Sequence, residues 1–187
     1  SANFYVFFKE ITALFPETFI RRLALIPARV ELAEPETLIP FFTSMFLHAG
    51  WIHILSNMWF LWIFGDNVED RLGKIRYVIL YVAAGFAGAF AQYFFEPESS
   101  IPMLGASGAV AGVLGAYLLY FPRHKIDTLV PIFFFIEIIS LPALVMIGYW
   151  FLTQLFAGVG ALEAQAASGG IAFFAHIGGF LAGMIIA

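Results

Sequence analysis

Long apolar runs, broken by short polar interruptions, make up most of the chain, and their lengths predict membrane-spanning helices. A helix needs about 20 apolar residues to cross a bilayer, with roughly 17 to 25 tolerated. Six segments qualify, the outer two being short. The first is Phe4 to Phe15, interrupted by Lys9-Glu10. Pro16 to Pro40 then mixes Arg21, Arg22, Arg29, Glu31, Glu34 and Glu36 with Phe, Leu and Ile, which predicts a long interfacial loop with amphipathic pieces. A second span runs from about Gly50 to Phe64 and continues as a polar helical end, Asp66 to Arg71. Ile75 to Phe95 and Ile101 to Phe121 form the third and fourth, each closed by a proline soon after. Asp127 to Leu141, with Pro131 and Glu137, reads as a segment along the interface, although Glu137 inside the membrane is the alternative. It leads to a fifth span from Pro142 to about Gly158, a flexible polar loop to Gly170, and a sixth span from Ile171.

Alternation of spans places Arg71, Lys74, Arg123 and Lys125 on one face, whereas the loops at 96–100 and 158–170 hold no Lys or Arg. The positive-inside rule makes the first face cytoplasmic. Arg21, Arg22 and Arg29 fall on the other face, in the long loop where the rule is weaker.

Composition agrees: 61% of residues are hydrophobic, 18% aromatic and 12% charged, with a mean hydropathy of +0.90. One core in 187 residues cannot hide that much apolar surface from water, so the expected class is an all-α polytopic membrane protein, organised as a single domain over 1–187. The chain has no cysteine, which removes disulfides, thiolate metal sites and thiol catalysis. There is no basic patch interleaved with aromatics and no phosphate-binding glycine loop ending in Lys, so neither nucleic acid nor a nucleotide cofactor is expected as a partner. The start at Ser1 and the stop within an apolar run give both ends a cut appearance, and nothing before the first apolar stretch resembles a secretory signal.

Lipid penalises polar side chains, so those within spans are candidates for function. In this topology the second, fourth and sixth spans enter the membrane from the same non-cytoplasmic face. Taking each span as helical from its first residue, Ser107 lies about 9 Å past Ile101, His176 about 8 Å past Ile171, and His53 and Asn57 roughly 5 to 11 Å past Gly50. Four polar side chains from three helices thus share one depth, where they need each other or water. Small residues allow the fourth and sixth spans to approach: Gly108 and Gly112 on one, Gly179 and Gly183 on the other. Serine needs an adjacent base to act as a nucleophile, and His176 is the candidate. The Ser107 amide at a helix start and the side chains of His53 and Asn57, four residues apart on one helix face, are candidate oxyanion donors.

Each residue alone has a plainer reading. Ser107 among small residues is ordinarily a packing serine, and His176 a satisfied buried histidine. His48 and His53 lack the spacing and the carboxylate of a helical zinc motif, so no metal site is expected. His124, beside Arg123 and Lys125, reads as a solvated loop residue. Glu69 and Arg71 read as a cap or tether at the cytoplasmic end of the second span.

Three motifs, His48-x4-His53-x3-Asn57, Gly105-Ala106-Ser107-Gly108 and Ala175-His176-x2-Gly179-x3-Gly183, with Glu69 and Arg71, resemble those of bacterial rhomboid intramembrane serine proteases over nearly the whole chain. The resemblance implies a six-helix core with a Ser–His dyad that cleaves transmembrane helices of other proteins near the outer face of a bacterial inner membrane, without a cofactor. It assigns Ser107 as nucleophile, His176 as general base and acid, and His53, Asn57 and the Ser107 amide as oxyanion donors. Gly105 would contact substrate, and His48 would hold the loop ahead of the second span. Trp150 and Phe151 are candidate gating aromatics. Some relatives carry a tyrosine four residues after the serine, stacked on the catalytic histidine. Here that position is Ala111, which leaves ring orientation to other residues, with Phe173 or Phe174 as candidates. The first loop also lacks the Trp-Arg pair of some members. The alternative is an inactive relative that binds or escorts membrane clients, although such proteins typically lack the serine or the histidine.

Overall fold

The computed structural model describes residues 2–13, 16–132, 134–163 and 171–187. Among the described residues the chain forms eight α-helices: α1 (Ala2–Ile11), α2 (Pro16–Leu23), the single turn α3 (Pro40–Thr43), α4 (Trp51–Leu72), α5 (Lys74–Phe95), α6 (Ser107–Tyr120), α7 (Ala143–Glu163) and α8 (Phe173–Ile186). The long first loop carries α2, whose charged residues lie on an amphipathic turn, and short 3-10 turns at Pro27–Arg29, Pro35–Leu38 and Ser44–Phe46. By length and apolarity α5 and α7 can each cross a membrane alone. Pro35–Phe46 and α4 qualify only as a pair bent by 76°, while α6 and α8 are shorter apolar helices.

One part of the sequence reading is corrected, and another takes a definite form. Residues 101–106 are not helical, and α6 begins only at Ser107. Gly105 sits at φ +123°, a left-handed setting that an L side chain resists, so the chain turns here before the helix can start. The depth shared by the polar residues therefore comes from helix starts: Ser107 is the first residue of α6, His53 the third of α4 and His176 the fourth of α8. The segment at 125–142 folds as an antiparallel hairpin, β1 (Lys125–Ile132) and β2 (Phe135–Pro142), with Lys125 opposite Pro142 and Ile132 opposite Phe135. β-Branched and aromatic residues crowd this stretch and favour strand. Glu137, on β2, pairs with Val130 on β1 and is exposed, in the hairpin rather than in an apolar helix. The predicted loop from Gly158 is helical through Glu163, and its remainder lies outside the described residues.

At the centre, α5, α6 and α8 pack backbone to backbone. A Cβ added at Gly179 would come within 2.0 Å of the Gly108 carbonyl oxygen, and one at Gly183 within 1.9 Å of that of Gly112. The same test at Gly88 brings a Cβ to 2.5 Å from the Ala175 carbonyl oxygen. Without side chains to keep them apart, these helices approach closely enough for direct contacts between backbones. Phe64 and Val68 of α4, Leu114 and Tyr117 of α6, Ile147 of α7 and Phe180 of α8 fill the adjoining core. α4 turns its Trp51, Ile52, Leu55, Trp59 and Trp62 outward, as expected of a helix bathed in lipid.

Candidate active site

The loop that delivers Ser107 is held from several sides. Leu25 and Met103 exchange backbone hydrogen bonds at 3.0 and 2.7 Å, the Ala28 amide donates to the Ser99 carbonyl at 3.0 Å, and the Gly105 amide donates to the Ser44 carbonyl at 2.9 Å. The first loop thus fixes the backbone just before the serine. At the other side, the Ala175 amide donates to Oε1 of the buried Gln92 at 3.3 Å, tying the start of α8 to α5.

Between these supports Ser107 Oγ and His176 Nε2 lie 2.8 Å apart. His176 Nδ1 lies 2.7 Å from Gln154 Oε1 on α7. Both imidazole nitrogens are therefore engaged, one by the serine and one by an amide that the sequence reading had not singled out. Trp150 tilts over the same imidazole, ring centroids 5.9 Å apart at 37°. That places an aromatic from α7 where the resemblance left a gap at Ala111. Phe174 lies flat on Phe95 at 4.6 Å, and Phe173 sits beside Gly158, so neither takes that place.

His53 Nδ1 accepts from the Ala49 amide at 3.3 Å, which leaves the proton on Nε2. An added Cβ at Gly105 would meet that Nε2 at 2.7 Å, so the ring edge lies directly against the loop before the serine. Asn57 is buried and donates one amide hydrogen to the His53 carbonyl at 2.9 Å, leaving a second hydrogen. His48 packs edge-on against His53, centroids 5.1 Å apart, and its backbone amide donates to the buried Glu10 Oε2 at 3.1 Å. His48 is fully buried there.

Ser107, His176, His53, Asn57 and Trp150 line one open cavity of about 470 Å³. Its walls are mostly apolar, including Phe60, Val110 and Leu114, and its polar lining is His53, Ser56, Asn57, Ser107 and His176. This is the form of a small-molecule or peptide site, apolar walls with a few placed polar atoms. Phe151 is not part of it: its ring stacks on Phe180 at 4.4 Å. Nor are Glu69 and Arg71. The Glu69 carbonyl accepts the Gly73 amide at 2.7 Å, and the Arg71 guanidinium lies 5.4 Å over the Tyr120 ring, joining the C-terminal ends of α4 and α6. No group of three or more His, Cys, Asp or Glu suited to a metal occurs among the described residues.

Gln92 and Gln154 are the site residues that reading by motif passed over. The available signal was their polarity, since each is a glutamine inside an otherwise apolar span.

Residues 35–187 match the Rhomboid domain. The chain is 32% identical over 152 residues to presenilin-associated rhomboid-like protein A, mitochondrial, of Danio rerio, an alignment covering 78% of this chain and 36% of that protein. It is 28% identical over 190 residues to presenilin-associated rhomboid-like protein, mitochondrial, of Bos taurus, covering 98% of this chain and 45% of the relative. Rhomboid protease GluP of Bacillus subtilis is 42% identical over 76 residues, 41% of this chain and 14% of that protein. The chain spans less than half the length of each of these relatives. With the family's domain matched over most of its length and its apolar helices packed around the Ser107–His176 pair, the chain belongs to the rhomboid family and is an integral membrane protein.

Proposed function

We propose that the chain is an intramembrane serine endopeptidase, a single rhomboid domain over 1–187 that cleaves transmembrane helices of other proteins in a bacterial inner membrane, near the outer face. The observation that carries this reading is the 2.8 Å contact between Ser107 Oγ and His176 Nε2 inside a cavity that opens to the surface. Ser107 attacks a peptide carbonyl of a locally unwound substrate helix while His176 takes the hydroxyl proton. Negative charge developing on the carbonyl oxygen is met by the Ser107 amide, whose position at the start of α6 adds the helix dipole, and by His53 Nε2–H and the free Asn57 amide hydrogen. His176 then protonates the leaving amine, and water entering the cavity hydrolyses the acyl-enzyme with His176 again as base. Gly105, with no side chain beside the nucleophile, leaves room for the substrate backbone, and Trp150 borders the same space from α7.

The test is cleavage of a fluorescent transmembrane substrate in liposomes by the chain and by its Ser107→Ala and His176→Ala variants. Loss of activity by at least about 10³-fold in both variants is expected, as when members of a serine–histidine pair are removed. Equal cleavage by wild type and Ser107→Ala would overturn the reading, and no cleavage by folded wild type on several substrates would overturn it and favour a client-binding member of the family.

A further inference from the structure

His176 serves as a base only if Nε2 carries a lone pair, and that depends on which nitrogen holds the proton. The decision is made on α7. Thr153 Oγ donates to the Trp150 carbonyl one turn back, at 2.6 Å, so its only hydrogen is committed. Towards Gln154 the hydroxyl can then only accept, and Gln154 Nε2 lies 3.3 Å from it. That contact turns the NH₂ of the amide to Thr153 and leaves Oε1, an acceptor, facing His176 Nδ1 at 2.7 Å. Nδ1 must therefore be the protonated nitrogen. The reversed amide would offer a hydrogen to Nδ1, move the ring proton to Nε2 and point it at Ser107, where it could not take the hydroxyl proton.

We propose that Gln154 is the positioning residue of this site: the relay from the Trp150 carbonyl through Thr153 to Gln154 holds His176 as the Nδ1–H tautomer with Nε2 bare towards Ser107. Trp150, tilted over the same ring, restrains its plane while Gln154 sets its polarity. A neutral amide thereby takes the orienting part that a carboxylate plays in a three-membered serine hydrolase site. The consequence for activity rests on the protease reading above, whereas the tautomer does not.

Two measurements separate them. In liposomes, Gln154→Leu is expected to lower kcat by about 10–100-fold with KM unchanged, the size of loss when the group orienting a working histidine is removed. Gln154→Glu, which keeps an acceptor opposite Nδ1, is expected to recover most of that loss, and Thr153→Val to lose less than Gln154→Leu. Unchanged kcat in Gln154→Leu, or equal losses in the Leu and Glu variants at equal thermal stability, would overturn the proposal. Nitrogen NMR of ¹⁵N-histidine protein, with His176 assigned by comparison with His176→Gln, reads the tautomer without any substrate. A proton on Nδ1 in wild type that is lost or redistributed in Gln154→Leu is the expected result, and a proton on Nε2 in wild type would refute it. Should wild type show no serine-dependent cleavage, the protease reading fails and the NMR result still decides the tautomer.

Discussion

The α6–α8 contact and the seat of α7 are built on opposite plans. Between α6 and α8, glycine meets carbonyl at distances that leave no room for a single methyl group, and the Ser–His contact bridges the upper end of that seam. α7 is held by rings and one amide: Phe151 on Phe180, Trp150 beside His176, and Gln154 on Nδ1. Only 17% of its span is buried, against 33% of α5. Close backbone packing is unforgiving because it has two states, seated or not, whereas aromatic side chains can re-pack as a helix shifts. The nucleophile and its base thus ride on the stiff pair, and the residue that orients the base rides on the looser one.

The largest expected effect breaks the stiff side. Gly179→Val places side-chain atoms where the Gly108 carbonyl now sits, and the loss of stability should reach or exceed the ~1–3 kcal/mol usual for overpacking. Thermal unfolding in detergent and labelling of Ser107 by a fluorophosphonate should both collapse. Retained labelling would mean that α6 and α8 can separate without parting the dyad.

A smaller effect sharpens the loose side. Phe151→Ala removes the stack on Phe180 and should lower stability by about 1–3 kcal/mol, less than for a fully buried phenylalanine because the ring is partly exposed. Cleavage of a full transmembrane substrate should rise, while a short soluble peptide that needs no lateral entry is cut at an unchanged rate. A fall on both substrates would assign α7 a purely supporting role.

The smallest change tests whether glycine as such matters. Gly148 lies in α7 with no atom within 4 Å of an added Cβ, so Gly148→Ala should leave activity alone and be neutral or stabilising by about 0.4–1 kcal/mol. Destabilisation by calorimetry would show that α7 is as tightly seated as α8.

The apolar helices were legible because lipid makes a simple demand that apolar runs answer directly, α5 and α7 most plainly. The polar residues of α4, α6 and α8 were legible for the same reason, each standing out in an apolar run. Hydropathy could not show that 101–106 leave the helix, since Ile101, Pro102, Met103 and Leu104 are as apolar as a span and the turn depends on the backbone angle of Gly105. Nor could it separate Trp150 from Phe151. Neighbours on a helix point about 100° apart, so only one can face the cavity, and which one depends on how α7 is rotated against α8. Gln154 was hidden by the same unknown. In the hairpin, Phe134 to Ile136, Ile138 and Ile139 register as apolar whether they form a strand or a helix.

That hairpin also fixes where the protein floats. Among the described residues its sheet has two strands only, so each has an outer edge of amide and carbonyl groups that hydrocarbon cannot satisfy. It must ride at the headgroup level or in water, with the bare Phe134 near its tip brushing whatever lies beside it. Because it joins the end of α6 to the start of α7, it works as a buoy: neither helix can sink without dragging open sheet edges into oil, and the depth of Ser107 is set from the opposite end of α6.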